Sequence, residues 1–193
     1  SELAGVAYIF PIFMLTSMLS NGAFGGAISG ATARAFGSKN LHLAECIFRS
    51  AILISLLGAL FMMLLFFSIS ERFFIFMKID QEVRSAALSY GNILLGGIFL
   101  IWLFNIIISI TRGSGNTIMP AFSWLIVLSS HVLLASFNFN YLDGNFILKN
   151  NVVFLSENYL FNSLEWSAIS LLSGYFFGLI FILGFYFFGN HSY

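Results

Sequence analysis

The sequence predicts an all-α, polytopic membrane protein, built as a bundle of about five transmembrane helices. Hydrophobic residues make up 59% of the 193 residues and charged residues only 8%, whereas soluble domains carry about 25% charged residues. The charged residues cluster and leave long uncharged windows. Each window holds at least 21 residues, and a helix needs about 20 residues to cross about 30 Å of hydrocarbon. These windows are 3–33, 50–70, 85–111, 113–142 and 166–193.

A membrane β-barrel is a poor alternative to this helical bundle. Barrel strands are segments of about ten residues that alternate in polarity. The segment "AILISLLGALFMMLLFFSI" is instead apolar on every face, which is typical of a membrane-spanning helix.

Turn and cap residues divide the windows into helices. Gly37 is expected to end the first helix, and Asn40 to cap the second. Asn116 or Thr117 caps the fourth, with Pro120 in or near its first turn, where a missing N–H matters least. The predicted helices cover about 3–35, 42–69, 83–111, 117–137 and 166–188.

The segment 138–165 separates the last two helices. It is rich in Asn and contains the turn pair Asp143-Gly144, which favours chain reversal. We predict an extramembrane loop here, with room for a small hairpin or a surface helix.

Small side chains are concentrated in the stretch "NGAFGGAISGATARAFGSKN" of the first helix. Gly22, Gly26 and Gly30 recur every four residues and form one bare row on the helix surface. In lipid, close backbone packing supplies much of the attraction between helices, so helix packing is the simpler interpretation. A surface that lets helices slide, as in a transporter, is the alternative. Pro11, earlier in this helix, is expected either to start its regular part or to kink it.

Composition also argues against several function classes. The net charge is zero, and without a long basic tract we expect no nucleic-acid partner. Cys46 is the only cysteine, so an intrachain disulfide is ruled out. Neither HExxH nor GxSxG occurs, and we expect no catalytic residues, metal or cofactor, and no enzyme activity. Lys and Arg divide equally between the two sides, so the charge distribution predicts no orientation.

Three motifs in order resemble the multidrug and toxic compound extrusion (MATE) transporters. They lie in "SGATARAFGSKN", "SERFFIFMKIDQEVRSAALSYGNILLGGIF" and "ITRGSGNTIMPAF". Their spacing relative to the predicted helices is similar to that of the family's amino-terminal lobe. The matched residues are Arg34, Ala35, Phe36 and Gly37 in the first motif, Asp80, Glu82 and Tyr90 in the second, and Arg112, Gly113, Gly115, Asn116, Thr117 and Pro120 in the third.

The resemblance implies a half-transporter, with residues 1–193 as a single transmembrane domain similar to helices two to six of that lobe. It also implies that the connections 36–40 and 112–117 face the cytoplasm, and that helix one and a second lobe are missing. The implied function is that of a partial antiporter exporting drugs or other small organic cations in exchange for H⁺ or Na⁺. The resemblance also implies that the protein contacts membrane lipid, and we expect a multi-pass protein of a bacterial inner membrane.

The resemblance places the family's frequent Asn and Asn-or-Asp positions on His131 and Ala135, and neither matches. An ionisable group in a membrane helix is a functional candidate, and histidine changes charge near neutral pH. The alternative for His131 is a neutral side chain bonded to Ser129, Ser130 or a neighbouring helix. We predict that His131 and Ser130 belong to the ion or substrate pathway.

Asn105 lies in the middle of the third predicted helix, and its amide needs partners in lipid. It is expected either to line a polar cavity or, as the simpler interpretation, to pin two helices together. Trp102, one turn away, carries the same two interpretations, and both residues are pathway candidates. Arg112 at a helix C-terminus complements the helix dipole.

Two other functions remain open at this stage. One is an inactive remnant or accessory membrane protein, since the residue expected to couple the ion is Ala135. The other is a flippase for lipid-linked oligosaccharides from the same superfamily. A flippase that handles lipid phosphates needs Arg or Lys in its groove, and the five windows contain none.

Overall fold

The protein folds as a helical bundle, as the sequence predicts. The computed structural model describes residues 2–149 and 163–188, with side chains described for 3–136 and 164–187. Every element in these ranges is helical. The elements are α1 (Glu2–Ser17), a π-helical segment (Met18–Phe24), α2 (Gly25–Gly37), α3 (Leu41–Phe76), α4 (Gln81–Gly96), α5 (Ile98–Gly113), α6 (Ile118–Lys149) and α7 (Ser163–Phe188).

Within the described ranges, four helical stretches are long and apolar enough to cross a membrane, and α4 with α5 forms a fifth, bent span. The first span joins α1, the π-helical segment and α2 over Leu3–Gly37, and the second is α3. We call the pair α4 and α5 the third span, and α6 and α7 the fourth and fifth. The prediction of an all-α, polytopic bundle with about five transmembrane helices is therefore confirmed.

The third span is not the continuous helix that the sequence predicts over 83–111. It breaks at Gly97, and its two halves are bent by 45°. Two consecutive glycines, Gly96 and Gly97, give the helix little intrinsic stability at this point. The missing side chain at Gly97 also leaves room for α7, because a Cβ there would lie 2.7 Å from Cδ2 of Leu172.

The first span is interrupted at a different place from the one predicted. Pro11 lies inside α1, whereas the helix widens into π geometry seven residues later, over Met18–Phe24. A π turn adds one residue per turn, and such segments are frequent at functional sites.

Connections between the spans are short. Asn40 caps α3 as predicted, with its Oδ1 accepting a hydrogen bond from the Leu43 N–H at 3.0 Å. The first span ends at Gly37, the residue predicted to stop it. The left-handed residue of the turn is Lys39, at φ +54°, and not the glycine. The Asn40 N–H then donates to the Ala35 carbonyl and closes the turn.

Replacing Lys39 by glycine is expected to stabilise the protein by about 0.5–1 kcal/mol, because glycine adopts a positive φ without a steric penalty. Thermal unfolding in detergent measures the effect. Lys39→Ala is the matched control, since it removes the side chain and keeps the Cβ. Equal stability of the two variants would contradict the prediction.

The fourth span continues further than predicted. Its helix was expected to end near 137, but α6 extends to Lys149, so residues 138–149 of the predicted loop are helical. The rest of that predicted loop, apart from the start of α7, lies outside the described residues.

Glycines set the distances between the spans. The first and third spans run parallel, with Gly5 against Ala87 and Gly25 against Ser109. The second span runs antiparallel to the third, with Gly58 against Trp102 and Phe66 against Gly91. The buried core lies along these contacts and includes Ile9, Phe74, Leu94, Ile98, Ile101, Trp102, Phe104 and Ile182.

The glycine row predicted to pack against another helix makes no close contact with one in the described residues. A Cβ at Gly22 or Gly26 would meet no described atom within 4 Å, and one at Gly30 would meet only the Arg34 guanidinium, at 3.6 Å. The close contact is made instead by Gly25, where a Cβ would lie 3.0 Å from the Ser20 carbonyl oxygen and still nearer the Ser109 hydroxyl. Gly25 and Gly26 are consecutive residues of α2 and point about 100° apart around the helix, so only one of them lies on the packed face.

Candidate functional site

Polar side chains cross between the first and third spans at the π-helical segment. Asn105 on α5 is 2% exposed, and its Nδ2 donates to the Ser20 hydroxyl at 2.8 Å. Ser20 in turn donates to the carbonyl of Ser17 at 3.1 Å. Asn105 thus joins two membrane spans, the simpler of its two sequence interpretations. A part in a substrate pathway remains a prediction.

Arg112 extends this polar contact toward the end of α5. Its guanidinium Nη2 donates to Asn21 Oδ1 at 2.8 Å and to Ser109 Oγ at 3.1 Å. Ser109 itself donates to the backbone carbonyl of Asn105 at 2.7 Å. Arg112 lies in the last turn of α5, where the helix dipole favours a cation. It therefore also holds the first span against the third.

A second polar contact lies between α6 and α7. The His131 Nδ1 is 3.1 Å from the Ser170 hydroxyl, and Ser170 is 1% exposed. The hydroxyl of Ser170 is also 2.9 Å from the Ser167 carbonyl, to which it donates. Which of Nδ1 and the hydroxyl donates depends on the tautomer of His131. In either case the contact joins α6 to α7.

Glycines bring α7 close to α6 around His131. A Cβ at Gly174 would lie 2.7 Å from the Val127 carbonyl oxygen and 3.4 Å from the His131 Cβ. One turn further, a Cβ at Gly178 would lie 3.3 Å from the Ser123 carbonyl oxygen. The close approach lets the short Ser170 side chain reach His131.

Rings fill the space where α5 meets α6 and α7. Phe104 contacts Trp124 and Tyr175 edge to face, with ring centroids 5.1 and 5.4 Å apart. Trp124 and Tyr175 are themselves 5.8 Å apart. The three rings pack against one another, so this cluster is a packed core between the spans.

The four predicted pathway residues lie in two places. Trp102 and Asn105 share the α5 face that meets the first two spans, and Trp102 packs against Gly58 and Phe24. His131 lies on α6 and contacts α7. Ser130 donates instead to carbonyls of its own helix, including that of Val127. Ser130 is therefore not the hydrogen-bond partner of His131. Their roles in a pathway remain predictions, and the described residues contain no cluster of metal-ligating side chains.

The residues of the third motif build the turn between α5 and α6. Gly113 packs against α2, where a Cβ would lie 2.7 Å from Cβ of Thr32, and Gly115 has φ +95°. Asn116 Oδ1 accepts from the N–H groups of Ile118 and Met119 at 3.2 and 3.1 Å, so Asn116 rather than Thr117 caps α6. Pro120 lies in the first turn of α6, and Arg34 of the first motif lies in the last turn of α2.

Sequence reasoning missed several residues that make these contacts. Asn21 and Ser109 flank Arg112 in space but are ordinary small polar residues in the sequence. Ser170 and Gly174 are similarly inconspicuous within an apolar helix. The spacing of Asn105, Ser109 and Arg112 at intervals of four and three is the one signal present, because it places all three on one helix face.

The helical spans, their apolar outer surfaces and the polar contacts between them define a multi-pass membrane protein. A family model described as MatE matches residues 1–137, most of the chain. The chain therefore belongs to the MATE family.

Comparison with solved structures gives the same fold. An inward-facing multidrug resistance MATE transporter of the MOP superfamily superposes with a TM-score of 0.80 at 22% identity, covering 98% of this chain and 39% of that one. A MATE transporter in its bent conformation gives 0.77 at 21% identity, covering 100% and 38%. A MOP superfamily transporter from Pyrococcus furiosus, described as having a binding pocket of reversed polarity, gives 0.75 at 21% identity, covering 98% and 38%. No curated protein matches the chain.

Proposed function

We propose that this chain is part of a cation-coupled antiporter that exports small organic cations across a membrane. The observation that carries the proposal is family membership over residues 1–137. The chain spans about 39% of the length of the solved transporter that it superposes on at a TM-score of 0.80. The proposed working protein therefore includes a preceding helix and a second lobe.

The proposed setting is a lipid bilayer, and a bacterial inner membrane in particular. Support comes from the outer surface of α3, where large apolar side chains are open along the span. Leu53 and Leu57 are each 57% exposed and Phe61 60%. Exposed apolar rows of this length suit contact with lipid tails or with other membrane helices.

His131 is the proposed proton-coupling group. Its Nδ1 is 3.1 Å from the Ser170 hydroxyl, and histidine is a side chain that exchanges protons, which suits H⁺ better than Na⁺. Proton uptake at an intramembrane histidine changes the charge between two spans, and this can drive a change in their packing. Asn105 and Arg112 meanwhile hold the third span against the first.

An inactive remnant or accessory protein is the second candidate. It is favoured by Ala135, at the position where the family often has Asn or Asp, because a methyl group can neither titrate nor coordinate an ion. The flippase alternative has less support, since the uncharged windows contain no Arg or Lys for a lipid phosphate.

An efflux assay in a pump-deficient bacterial host tests the proposal, with ethidium as the fluorescent cation. We expect the longest reading frame containing this segment to export ethidium in an energised cell, and the segment alone to export none. Export by the segment alone would refute the half-transporter assignment. No export by the longer protein, despite normal membrane levels, would favour the remnant.

A further inference from the structure

Buried hydroxyl groups in the spans follow a common pattern, and three of those in the described residues depart from it. Thr16, Ser20, Ser109, Thr111 and Ser123 each donate to a carbonyl three or four residues earlier in their own helix. This is the usual solution for Ser and Thr inside a helix. The Oγ atoms of Ser17 and Ser55 and the Oγ1 of Thr32 are just as buried but make no hydrogen bond within the described residues.

Asn105 Oδ1 and Trp102 Nε1 are also buried without a partner among the described side chains and backbone. Both residues are nearly inaccessible, at 2% and 1% exposure. Leaving such a group unsatisfied costs about 1–3 kcal/mol. Trp102 and Asn105 lie one turn apart on the same face of α5.

Because the second and third spans are antiparallel, Ser55 and Asn105 lie at about the same position along the bundle. The second span is antiparallel to the third, and Gly58 lies against Trp102. Ser55 is one turn before Gly58 on α3, and Asn105 is one turn after Trp102 on α5. The Nδ2 of Asn105 is bonded to Ser20 on the first span, which leaves its Oδ1 without a partner in the described residues. Ser55 is 0% exposed and lies on the second span.

By the same reasoning, Ser17 and Trp102 lie at about the same position along the bundle. The first and third spans are parallel, and Ser20 meets Asn105. Ser17 is one turn before Ser20 and Trp102 is one turn before Asn105, so the two residues lie at a similar position along the bundle. Four of the five unpartnered buried atoms in the described residues thus belong to two adjacent levels of the same three-helix contact.

The chemistry of these atoms selects the ligand. Asn105 Oδ1 only accepts hydrogen bonds, Trp102 Nε1 only donates, and the two hydroxyls do both. A metal cation would satisfy the acceptors alone, and it would lie two turns from the Arg112 guanidinium. An anion would satisfy the donors alone. Water both donates and accepts, and buried waters typically make about three hydrogen bonds to otherwise unpaired groups.

We propose that Ser17, Ser55, Trp102 and Asn105 form an internal hydration site, in which bound water bridges the second span to Asn105 and through it to the first. The site lies beside the π-helical segment. A water that exchanges hydrogen-bond partners lets this segment adjust while the three spans stay joined. The inference does not depend on what the protein exports.

X-ray hydroxyl-radical footprinting of the protein in detergent tests the proposal, with mass spectrometry as the readout. Radicals formed from a bound water oxidise the nearest side chains, even where bulk solvent has no access. We expect Trp102 to be oxidised several-fold faster than Phe104 and Phe74 after correction for the intrinsic reactivity of each side chain. Those two rings are equally buried, at 0% and 1% exposure. An equal corrected rate would overturn the proposal without any variant.

Two variants and a matched control complete the test. Asn105→Leu and Ser55→Ala remove polar atoms of the site, so each is expected to lower the oxidation rate of Trp102 several-fold. Thr32→Val is the control, because Thr32 Oγ1 is the fifth unpartnered atom and lies at Gly113, about two turns of α5 beyond Asn105. Oxidation of Trp102 that is unchanged in both site variants, or that falls equally in Thr32→Val, would overturn the proposal.

Discussion

Replacing Gly58 by valine is expected to destabilise the folded protein by about 3 kcal/mol, at the upper end of the range for overpacking. A Cβ at this position would overlap the indole of Trp102, with Cη2 at 2.6 Å. The indole is 1% exposed and packs against Phe24 on its other side. It is a rigid ring, and no soft side-chain end is available to move aside. The second and third spans must separate to admit the valine.

Thermal unfolding and the yield of folded protein in detergent measure this effect. Gly184→Val is the matched control, because a Cβ there meets no described atom within 4 Å. The double variant Gly58→Val with Trp102→Leu supplies the missing space, so its stability is expected to exceed that of Gly58→Val alone. Residues in contact couple in this way, while distant sites add. A Gly58→Val protein as stable as Gly184→Val would contradict the packing described for these spans.

Loss of the imidazole at His131 is expected to reduce export by the longer protein to the level of the empty vector. Glutamine at this position can still bond to Ser170 but cannot take up a proton, so His131→Gln separates proton exchange from helix packing. The measurement is ethidium efflux in energised cells or vesicles, with a proton gradient as the only energy source.

Two controls define the outcome for His131. Ser129→Ala changes a neighbouring exposed hydroxyl that bonds only within its own helix, and it is expected to leave export intact. Folding of His131→Gln is checked by its thermal unfolding, which should match that of the parent protein. Full export by a folded His131→Gln protein would remove His131 from the coupling role.

The number and nature of the spans follow from the sequence because hydrocarbon thickness fixes their length. Turns were predictable where a specific side chain forms them, as Asn40 and Asn116 do. The break at Gly97 was not, because two glycines weaken a helix without specifying a bend. The contact that needs a glycine at this point is with Leu172, 75 residues later in the chain. The sequence also does not predict that α6 continues past residue 137, because the residues that follow are rich in Asn, which has a low helix propensity.

The polar contacts were harder to predict than the spans. Asn105 and His131 are conspicuous in apolar sequence, so both were found. Their partners Ser20 and Ser170 are ordinary residues whose importance comes from the spans they face. Regular helical spacing selects the row Gly22, Gly26 and Gly30, whereas Gly25 makes the close contact, because spacing alone does not say which face of a helix its neighbours cover.

The most direct test of the central claim, that the chain crosses a membrane with this order of spans, is labelling of single cysteines by a membrane-impermeant maleimide. Cys46 is replaced by serine, and cysteine is then introduced separately at Ser38, Met77 and Ser114. These residues lie in or beside three successive connections between spans. In sealed vesicles of known orientation, Ser38→Cys and Ser114→Cys are expected to label from the cytoplasmic side and Met77→Cys from the opposite side. Labelling of all three positions from one side would contradict the account.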